Sequence, residues 1–252
     1  MRLARGIPVL LHLLAVVALT ILTQIGGFAW LLAMTLRARI LAFALAYAAL
    51  SLSAAWVAPV FGRVPLPCLT DGALRMQSPL YCVLNRHYAV PELATTLEDF
   101  GVAMAARHPG TITLVLDAGF PFLNGFPMLP HLSHHDGRKA DIAFYYRNEG
   151  GYLPGSTRSP IGYFAFEDGP TDCPGRWWDL RWDLPWLQPL WPDWPLDEGR
   201  MRSALRWLAA DPRIGKVLIE PHLERSIGVA SAKLRFQGCR AARHDDHLHL
   251  QL

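Results

Sequence analysis

The chain has 252 residues, 52% of them hydrophobic, and a formal net charge of +3. Five of its 24 Lys and Arg residues precede residue 64, so the remainder carries 19 basic against 21 acidic side chains. A remainder so close to neutral excludes a strongly basic nucleic-acid-binding surface. The length is sufficient for a membrane anchor and one domain of ordinary size.

Two apolar runs open the sequence. Residues 6–36 contain no charged side chain, Arg37 and Arg39 follow, and residues 40–62 are again uncharged. Each run exceeds the roughly 20 apolar residues that a membrane-spanning helix needs. The first run is also longer than the apolar core of a cleavable signal peptide. The pattern predicts a two-helix transmembrane hairpin over residues 1–63, with a signal followed by one span as the alternative.

The remainder, residues 64–252, is predicted to fold as one α+β domain, an antiparallel sheet with helices packed on it. It begins with a proline-containing linker over residues 64–79. Apolar spacing and helix-start signals predict two helices, and short β-rich runs predict strands around them. In chain order these elements are a helix at 91–107, a strand at 111–116, a helix at 197–210 and a strand at 216–220.

Four cysteines are spread along this domain, at Cys68, Cys82, Cys173 and Cys239. They are even in number, widely spaced, and form no C-x-x-C pair of the kind that binds structural zinc. This pattern predicts two disulfides in an oxidising compartment, with three pairings open. Four buried free thiols are the alternative.

Residues 168–195 are unusually rich in tryptophan. One interpretation is a wall of a substrate cleft, with Arg176 or Arg181 near a carboxylate. A loop folded onto the core, or an aromatic belt at a membrane interface, explains the same composition. The six tryptophans are Trp177, Trp178, Trp182, Trp186, Trp191 and Trp194.

Two histidine-rich stretches carry the candidate chemistry. In the first, Asp136-Gly137 between β-rich flanks predicts a hairpin, with residues 141–146 as its second strand. The hairpin places His134 and Asp141 as diagonal neighbours on one face. In the last residues of the chain, leucines alternate with His247 and His249, which predicts a strand with both imidazoles on one side.

Two imidazoles and a carboxylate that converge are the protein ligands of a catalytic zinc ion. A single histidine is more often a surface or core residue than a metal ligand. Both motifs together, each on a predicted strand, favour a mononuclear zinc site over that interpretation.

The paired motifs resemble those of the penicillin-insensitive murein endopeptidases, the MepA-type branch of the LAS zinc metallopeptidases. Residues 125–134 and 211–221 are also similar to that family, and the resemblance covers about residues 85–252. The motifs that carry it are Ser133-His134-x-x-Gly137-x-x-x-Asp141 and His244-x-x-His247-x-His249.

The resemblance implies a LAS/hedgehog-like peptidase fold and a role for each motif residue. His134, Asp141 and His249 correspond to the zinc ligands of the family. His247 corresponds to its catalytic histidine, and His244 to a further active-site residue.

The resemblance also implies the reaction, hydrolysis of the D-alanyl–diaminopimelyl peptide cross-link of peptidoglycan by a membrane-anchored enzyme. The enzyme would sit in the inner membrane with its catalytic domain facing the periplasm. One alternative is a zinc D,D-carboxypeptidase that acts on D-Ala-D-Ala termini, which the lack of a Glu-x-x-His motif before His249 disfavours. Another is a non-catalytic zinc-containing binding domain of the cell envelope, in which His247 would have no task.

A zinc-activated water needs a neighbouring group that accepts its proton. His247 is the expected group, with Asp245 or Asp246 fixing its tautomer. Glu220, on the strand that precedes the second motif, is the alternative base.

Overall fold

The computed structural model describes residues 3–171, 173–176 and 178–252, and side chains from residue 9 onward. Asp172 and Trp177 of the tryptophan-rich segment, and the first two residues of the predicted anchor, therefore lie outside it. The helices of the described residues are α1 (Leu3–Thr23), α2 (Gly26–Ala33), α3 (Arg39–Val57), α4 (Pro79–Val83), α5 (Pro91–Arg107), α6 (Glu198–Ala210) and α7 (Pro221–Ile227). Three 3-10 turns cover Ala58–Phe61, Leu132–Asp136 and Gln188–Leu190. The strands are β1 (Val64–Pro65), β2 (Leu74–Met76), β3 (Tyr88–Ala89), β4 (Thr113–Val115), β5 (Lys139–Ala143), β6 (Arg147–Asn148), β7 (Gly151–Tyr152), β8 (Lys216–Leu218), β9 (Leu234–Arg235) and β10 (His247–Gln251).

The first uncharged run forms two helices, α1 and α2, and not one long span. The chain breaks at Gln24, whose backbone φ is +67°, and α2 then packs against both α1 and α3. The packing is close, because a Cβ added to Gly27 would lie only 1.9 Å from Thr20 Oγ1. A glycine at this position therefore lets α2 approach α1.

One helix of the described residues is long and apolar enough to cross a membrane. It covers Arg39–Phe61, which is α3 with the following 3-10 turn, and its mean hydropathy is 2.0. Only 6% of its most apolar window is buried, which distinguishes it from the core helix of a soluble domain. The second apolar helix, Val9–Thr23, is shorter, so the first span of the predicted hairpin stays a prediction.

The domain is built on a six-stranded sheet in the order β2-β4-β5-β10-β8-β9. The α+β class is confirmed, but the sheet is mixed, because β2 pairs with β4, and β8 with β9, in parallel. Its centre is antiparallel, as predicted: β5 pairs with β4 and β10, and β10 with β8. The predicted linker is wrong over Leu74–Met76, because that stretch is the edge strand β2.

The two central strands present different chemistry on their two faces. Ile142 of β5 and the leucines Leu248 and Leu250 of β10 belong to the hydrophobic core, together with residues of α5 and α6. Since side chains alternate along a strand, Asp141 and His249 lie on the opposite face. The predicted inward leucines and outward histidines of the last strand are confirmed.

The predicted Asp136-Gly137 hairpin is wrong. Residues Leu132–Asp136 form a 3-10 turn, which ends at Gly137 with a φ of +67°. Asp136 stabilises this turn locally, since its Oδ1 accepts from the backbone N–H of Arg138 at 3.0 Å. His134 therefore lies on a turn that enters β5, and not on a strand paired with β5.

The other predicted elements are confirmed with small shifts of their ends. Of the two predicted helices, the first is α5, Pro91–Arg107, with the predicted ends. The second is α6, Glu198–Ala210, and Oδ1 of its N-cap Asp197 accepts from the backbone N–H of Arg200. Strands β4 and β8 lie within the predicted strand ranges and are shorter than predicted.

The four cysteines form two disulfides, Cys68–Cys82 and Cys173–Cys239. The predicted pair of disulfides is thus confirmed, and free thiols are excluded. The second disulfide connects the tryptophan-rich segment to the stretch of chain that leads into His244. Two parts of the domain that are 66 residues apart in sequence are therefore joined beside the second motif.

We expect the Cys173→Ser/Cys239→Ser double variant to lose more stability than Cys68→Ser/Cys82→Ser. A disulfide that closes a loop of 66 residues restricts the unfolded chain more than one that closes 14. In the chain-entropy account the losses are about 4 and about 3 kcal/mol. Guanidinium unfolding of the detergent-solubilised variants, followed by circular dichroism, measures both. The reverse order would contradict the expectation.

Candidate metal centre

The register of the two central strands places two candidate ligands side by side. Asp141 of β5 pairs directly with His249 of β10. Their side chains leave the same face of the sheet, and His249 Nδ1 lies 2.8 Å from Asp141 Oδ1. Both residues are buried, with Asp141 at 0% exposure. The register of the sheet therefore brings together two candidate ligand atoms from motifs that are far apart in the sequence.

His134 completes the group from the 3-10 turn. Its Nδ1 donates to the backbone carbonyl of Ala118 at 2.8 Å. This hydrogen bond fixes a proton on Nδ1 and directs Nε2 towards the candidate metal position. Metal-binding histidines commonly donate their other ring N–H to a carbonyl or carboxylate in this way. His134 Nε2 then lies 3.1 Å from His249 Nδ1 and 3.3 Å from Asp141 Oδ1.

These three atoms fit the ligand positions of a small tetrahedral ion. Two atoms that share such an ion, with bonds of about 2.0–2.1 Å, are roughly 3.3–3.4 Å apart. The observed separations of 2.8, 3.1 and 3.3 Å are close to that spacing. The donor set, two imidazole nitrogens and a carboxylate, could hold a metal ion at the place where sequence motifs predict one.

Electrostatics keeps Asp141 and His249 in their metal-binding forms. Burial lowers the pKa of His134, but Asp141 outweighs burial and raises it, so a bound metal ion would displace a proton from this ring. Burial opposes the charge of Asp141, but the imidazoles of His134, His247 and His131 outweigh burial and hold the pKa of Asp141 well below its usual range. Burial lowers the pKa of His249 to about 4. Asp141 is therefore ionised at neutral pH, and the imidazole of His249 is neutral.

His131 also belongs to this cluster, and the sequence motifs do not identify it. Its ligand atoms and those of His134 and Asp141 lie within 4.8 Å of one another. His131 Nδ1 donates to Asp117 Oδ2 at 2.9 Å, and the guanidinium of Arg86 pairs with the same carboxylate. His131 stands three residues before His134, a spacing that could have suggested it, whereas neither Asp117 nor Arg86 has a local signal.

His247 stands next to the ligand group and is held by Asp246. Its Nδ1 donates to Asp246 Oδ1, while its Nε2 lies 3.7 Å from Asp141 Oδ1. Burial lowers the pKa of His247, but Asp141 and Asp246 outweigh burial and raise the pKa to about 9. The partner that orients His247 is thus Asp246, and not Asp245.

The hydroxyl of Tyr163 donates to Asp141 Oδ2 at 2.7 Å. The sequence motifs do not identify Tyr163 as a residue of the site.

His244 lies within the same cluster of rings. Its centroid is 5.0 Å from that of His247 and 5.7 Å from that of His249. Burial lowers its pKa well below the usual value. Its Nδ1 is buried without a hydrogen-bond partner among the described residues. The five motif residues predicted for the site are therefore brought together.

Glu220, the alternative base, is held by another group. Arg181 contacts its carboxylate with both terminal nitrogens, at 3.0 and 2.7 Å, and Glu220 Oε1 also accepts from the backbone N–H of His244 at 3.3 Å. A carboxylate bound in this way positions the chain before the second motif. Its proton-accepting lone pairs are used, so the geometry favours His247 over Glu220.

A cleft runs past the cluster, and its walls are mostly apolar. Pro130, His131, Tyr163 and Phe164 line both of its ends. These ends are two adjoining pockets that share the four residues: one continues to Phe166, Leu180 and Trp182, and the other to Leu80 of α4 and to Leu84, which follows α4.

The tryptophan-rich segment contributes to this cleft through Trp182. Trp191 instead packs back onto the domain, where its Nε1 donates to the carbonyl of Phe164 at 2.9 Å. Trp186 is 71% exposed. Arg181 is paired with Glu220 of the chain itself, and it does not line the cleft. The segment therefore combines a cleft wall with a loop packed on the domain.

We expect His249→Ala, His134→Ala and Asp141→Asn each to lose the bound metal. Each replacement removes one of three ligand atoms, and two ligands hold an ion far more weakly. His135→Ala is the matched control, because His135 adjoins His134 in sequence but is exposed. Metal content per chain, determined by mass spectrometry of the purified proteins, is the measurement. Full metal content in His249→Ala would refute the ligand assignment.

The chain matches no protein-family model and no curated protein sequence. The assignment of this centre therefore depends on the geometry of its own residues and on the motifs of the sequence.

Proposed function

We propose that this protein is a membrane-anchored zinc metallopeptidase that hydrolyses the D-alanyl–diaminopimelyl cross-links of peptidoglycan. The observation that carries the proposal is the convergence of His134 Nε2, Asp141 Oδ1 and His249 Nδ1, with His247 beside them. The resemblance of the two motifs to murein endopeptidases supports the choice of substrate.

Zinc held by two histidines and a carboxylate supplies a Lewis acid that polarises a carbonyl group and activates water at neutral pH. The remaining tasks fall to residues of the chain. Asp246 holds the Nδ1 proton of His247, so that Nε2 of the same ring faces the cleft. At neutral pH the pKa of about 9 keeps the ring of His247 protonated, but a metal ion on Asp141 would offset the negative charge that raises this pKa. Nε2 would then accept the proton of the attacking water and return it to the nitrogen of the leaving amine.

Tyr163 and His131 position the groups around the reacting bond. The Tyr163 hydroxyl occupies Asp141 Oδ2, which leaves Oδ1 directed to His134 and His249. The Nδ1–H group of His131 is held by Asp117, while the ring lines the cleft. Fixed orientation of such groups lowers the barrier without reorganisation during the reaction.

The arginines that line the cleft are already paired within the chain. A carboxypeptidase needs a free cation for the terminal carboxylate of its substrate. The arginines among the described cleft residues are Arg86 and Arg243, and each is paired with acids of the chain. Arg86 pairs with Asp117, and Arg243 with Asp183 and Asp245. The diaminopimelyl residue of the cross-link also bears a carboxylate on the carbon next to the scissile nitrogen, so this pairing does not separate the two activities. The preference for an endopeptidase rests on the resemblance of the motifs and on the lack of a Glu-x-x-His motif before His249.

The experiment is digestion of purified cross-linked murein by the full-length chain in detergent, with and without a chelator. Release of monomeric muropeptides that stops with chelator and returns with zinc supports the proposal. Release of D-alanine alone would establish the carboxypeptidase alternative. Binding of murein without any release would establish a non-catalytic binding domain.

We expect His247→Ala to keep its metal and to cleave cross-linked murein at least a hundred times more slowly. Loss of a positioned acid–base group typically lowers the rate by about 10²–10⁴. Asp246→Asn should show a smaller loss, because it disturbs the orientation of His247 and not its presence. Muropeptide release and metal content are measured on the same preparations. Wild-type rates in His247→Ala would assign proton transfer to another group.

The proposal places the domain on the periplasmic side of the inner membrane. Two disulfides and the apolar helix Arg39–Phe61 support this location, because disulfides persist in oxidising compartments. We expect alkaline phosphatase fused after Leu252 to be active, and a cytoplasmic reporter at the same point to be inactive. The opposite pair of results would place the domain in the cytoplasm.

A further inference from the structure

Two segments of the domain carry no Asp, Glu, Lys or Arg, namely residues 76–85 and residues 118–135. We call their exposed surface the apolar collar. Exposed apolar side chains that cluster on one surface mark contact with a membrane or with another protein. The large exposed side chains of the apolar collar are Leu80, Val83, Leu123, Leu129 and Leu132, between 45% and 57% exposed.

The first collar segment is attached to α3 by hydrogen bonds. Tyr47 Oη donates to the carbonyl of Val83 at 2.5 Å. Asn85 Nδ2 donates to Tyr47 Oη at 2.9 Å and to Ser51 Oγ at 3.2 Å. Polar groups of α3 thus find partners on the domain, while its apolar side chains Leu41, Leu45 and Leu52 are exposed.

The second collar segment contacts the other end of the anchor region. The backbone N–H of Phe122 donates to Gln24 Oε1 at 2.9 Å. The ring of Phe122 also packs edge-on against Phe61, with centroids 5.1 Å apart. The apolar collar is therefore continuous with the outer surface of the N-terminal helices.

The position of the contact along α3 decides where the apolar collar lies. Tyr47 is eight residues from Arg39 and ten from Val57. At 1.5 Å per residue these separations are about 12 Å and about 15 Å. The hydrocarbon core of a bilayer is about 30 Å thick. If α3 crosses this layer, domain residues that contact its middle enter the layer as well.

Two arginines that adjoin the apolar collar are turned inward, whereas Asp136, which follows the second collar segment, is partly exposed and is paired with Lys139. Arg63, the first charged residue after α3, is 3% exposed, and its guanidinium donates to Asn124 Oδ1. Arg86, which follows the first collar segment, is 6% exposed and is paired with Asp117. Uncharged surface beside inward-facing cations is the arrangement that a lipid environment requires.

We propose that the apolar collar is seated in the phospholipid bilayer beside α3, so that the domain is partly submerged and does not stand away from the membrane. The occupant of this surface is lipid, from the acyl chains beside Tyr47 outward to the boundary with the headgroups. The inference rests on the proposed membrane anchorage by Arg39–Phe61. It does not depend on peptidoglycan hydrolysis, although the second collar segment also carries His131 and His134 of the metal centre.

The test uses the full-length chain in phosphatidylcholine vesicles with one nitroxide label. The cysteines of the chain are all in disulfides, so a single introduced cysteine takes the label. Labels at Leu123→Cys, Leu129→Cys and Leu132→Cys probe the apolar collar. Val102→Cys and Leu190→Cys are matched controls, because both side chains are apolar and are 64% and 66% exposed outside the apolar collar.

We expect collar labels to collide several-fold more often with oxygen, which partitions into lipid, than with a water-soluble nickel chelate, and control labels to show the reverse preference. Collar labels with the preference of the controls would overturn the proposal. A third outcome is that collar labels are shielded from both reagents and show spin–spin broadening that disappears on dilution with unlabelled chain. This outcome would overturn the proposal and would show that the apolar collar is an interface between two copies of the chain.

Murein digestion by the chain without an introduced cysteine, in the same vesicles, separates this inference from the proposed function. Lipid contact of the collar labels without murein digestion would refute the function and leave the apolar collar in place. Murein digestion with collar labels that lie in water would refute the apolar collar alone.

Discussion

Asp141 is a carboxylate with no exposed surface, at the centre of the sheet and next to the hydrophobic core. Moving a carboxylate out of water is unfavourable by several kcal/mol unless opposite charge and hydrogen bonds replace its hydration. The surrounding residues meet this requirement from three directions. His249 approaches along the sheet, His134 from the 3-10 turn, and the Tyr163 hydroxyl from the segment above the sheet. The geometry of the whole centre follows from the need to accommodate this one charge.

The same requirement explains why a second set of buried ions lies behind the first. Asp117 holds His131 in place and is itself balanced by Arg86, which also donates to the carbonyl of Leu129 at 2.7 Å. On the other side, Arg181 balances Glu220, and Glu220 accepts from the backbone of His244. Each of these two buried acids is thus paired with an arginine on one side and contacts a histidine of the centre on the other. The histidines are therefore positioned by carboxylates whose charges are already balanced. Removal of a single member would leave its partner charged and buried, which is more destabilising than removal of the pair.

Local patterns in the sequence were sufficient for part of this structure. Alternation of leucine and histidine predicted both faces of β10, and the resemblance of the two short motifs to a known family indicated the three side chains that could hold a metal ion. The Asp136-Gly137 turn was misread because glycine at positive φ serves a hairpin and the end of a 3-10 turn equally well. Asp117 and Tyr163 were not predicted, because their roles depend on contacts across 14 and 22 residues of intervening fold and have no periodic signature. The edge strand β2 was hidden for a similar reason, since its pairing with β4 is parallel and long-range.

The Cys173–Cys239 disulfide has a consequence for how the centre and its cleft respond to conditions. The three ligand side chains depend on sheet register and on one turn, neither of which contains a cysteine. The aromatic segment that bears Trp182 is instead fastened covalently to the stretch before His244. Reduction of the disulfide would therefore free the segment that carries Trp182 to move, while the positions of His134, Asp141 and His249 would be retained. The candidate metal centre would therefore respond to acidity, whereas the shape of the neighbouring cleft would respond to reduction of the disulfide.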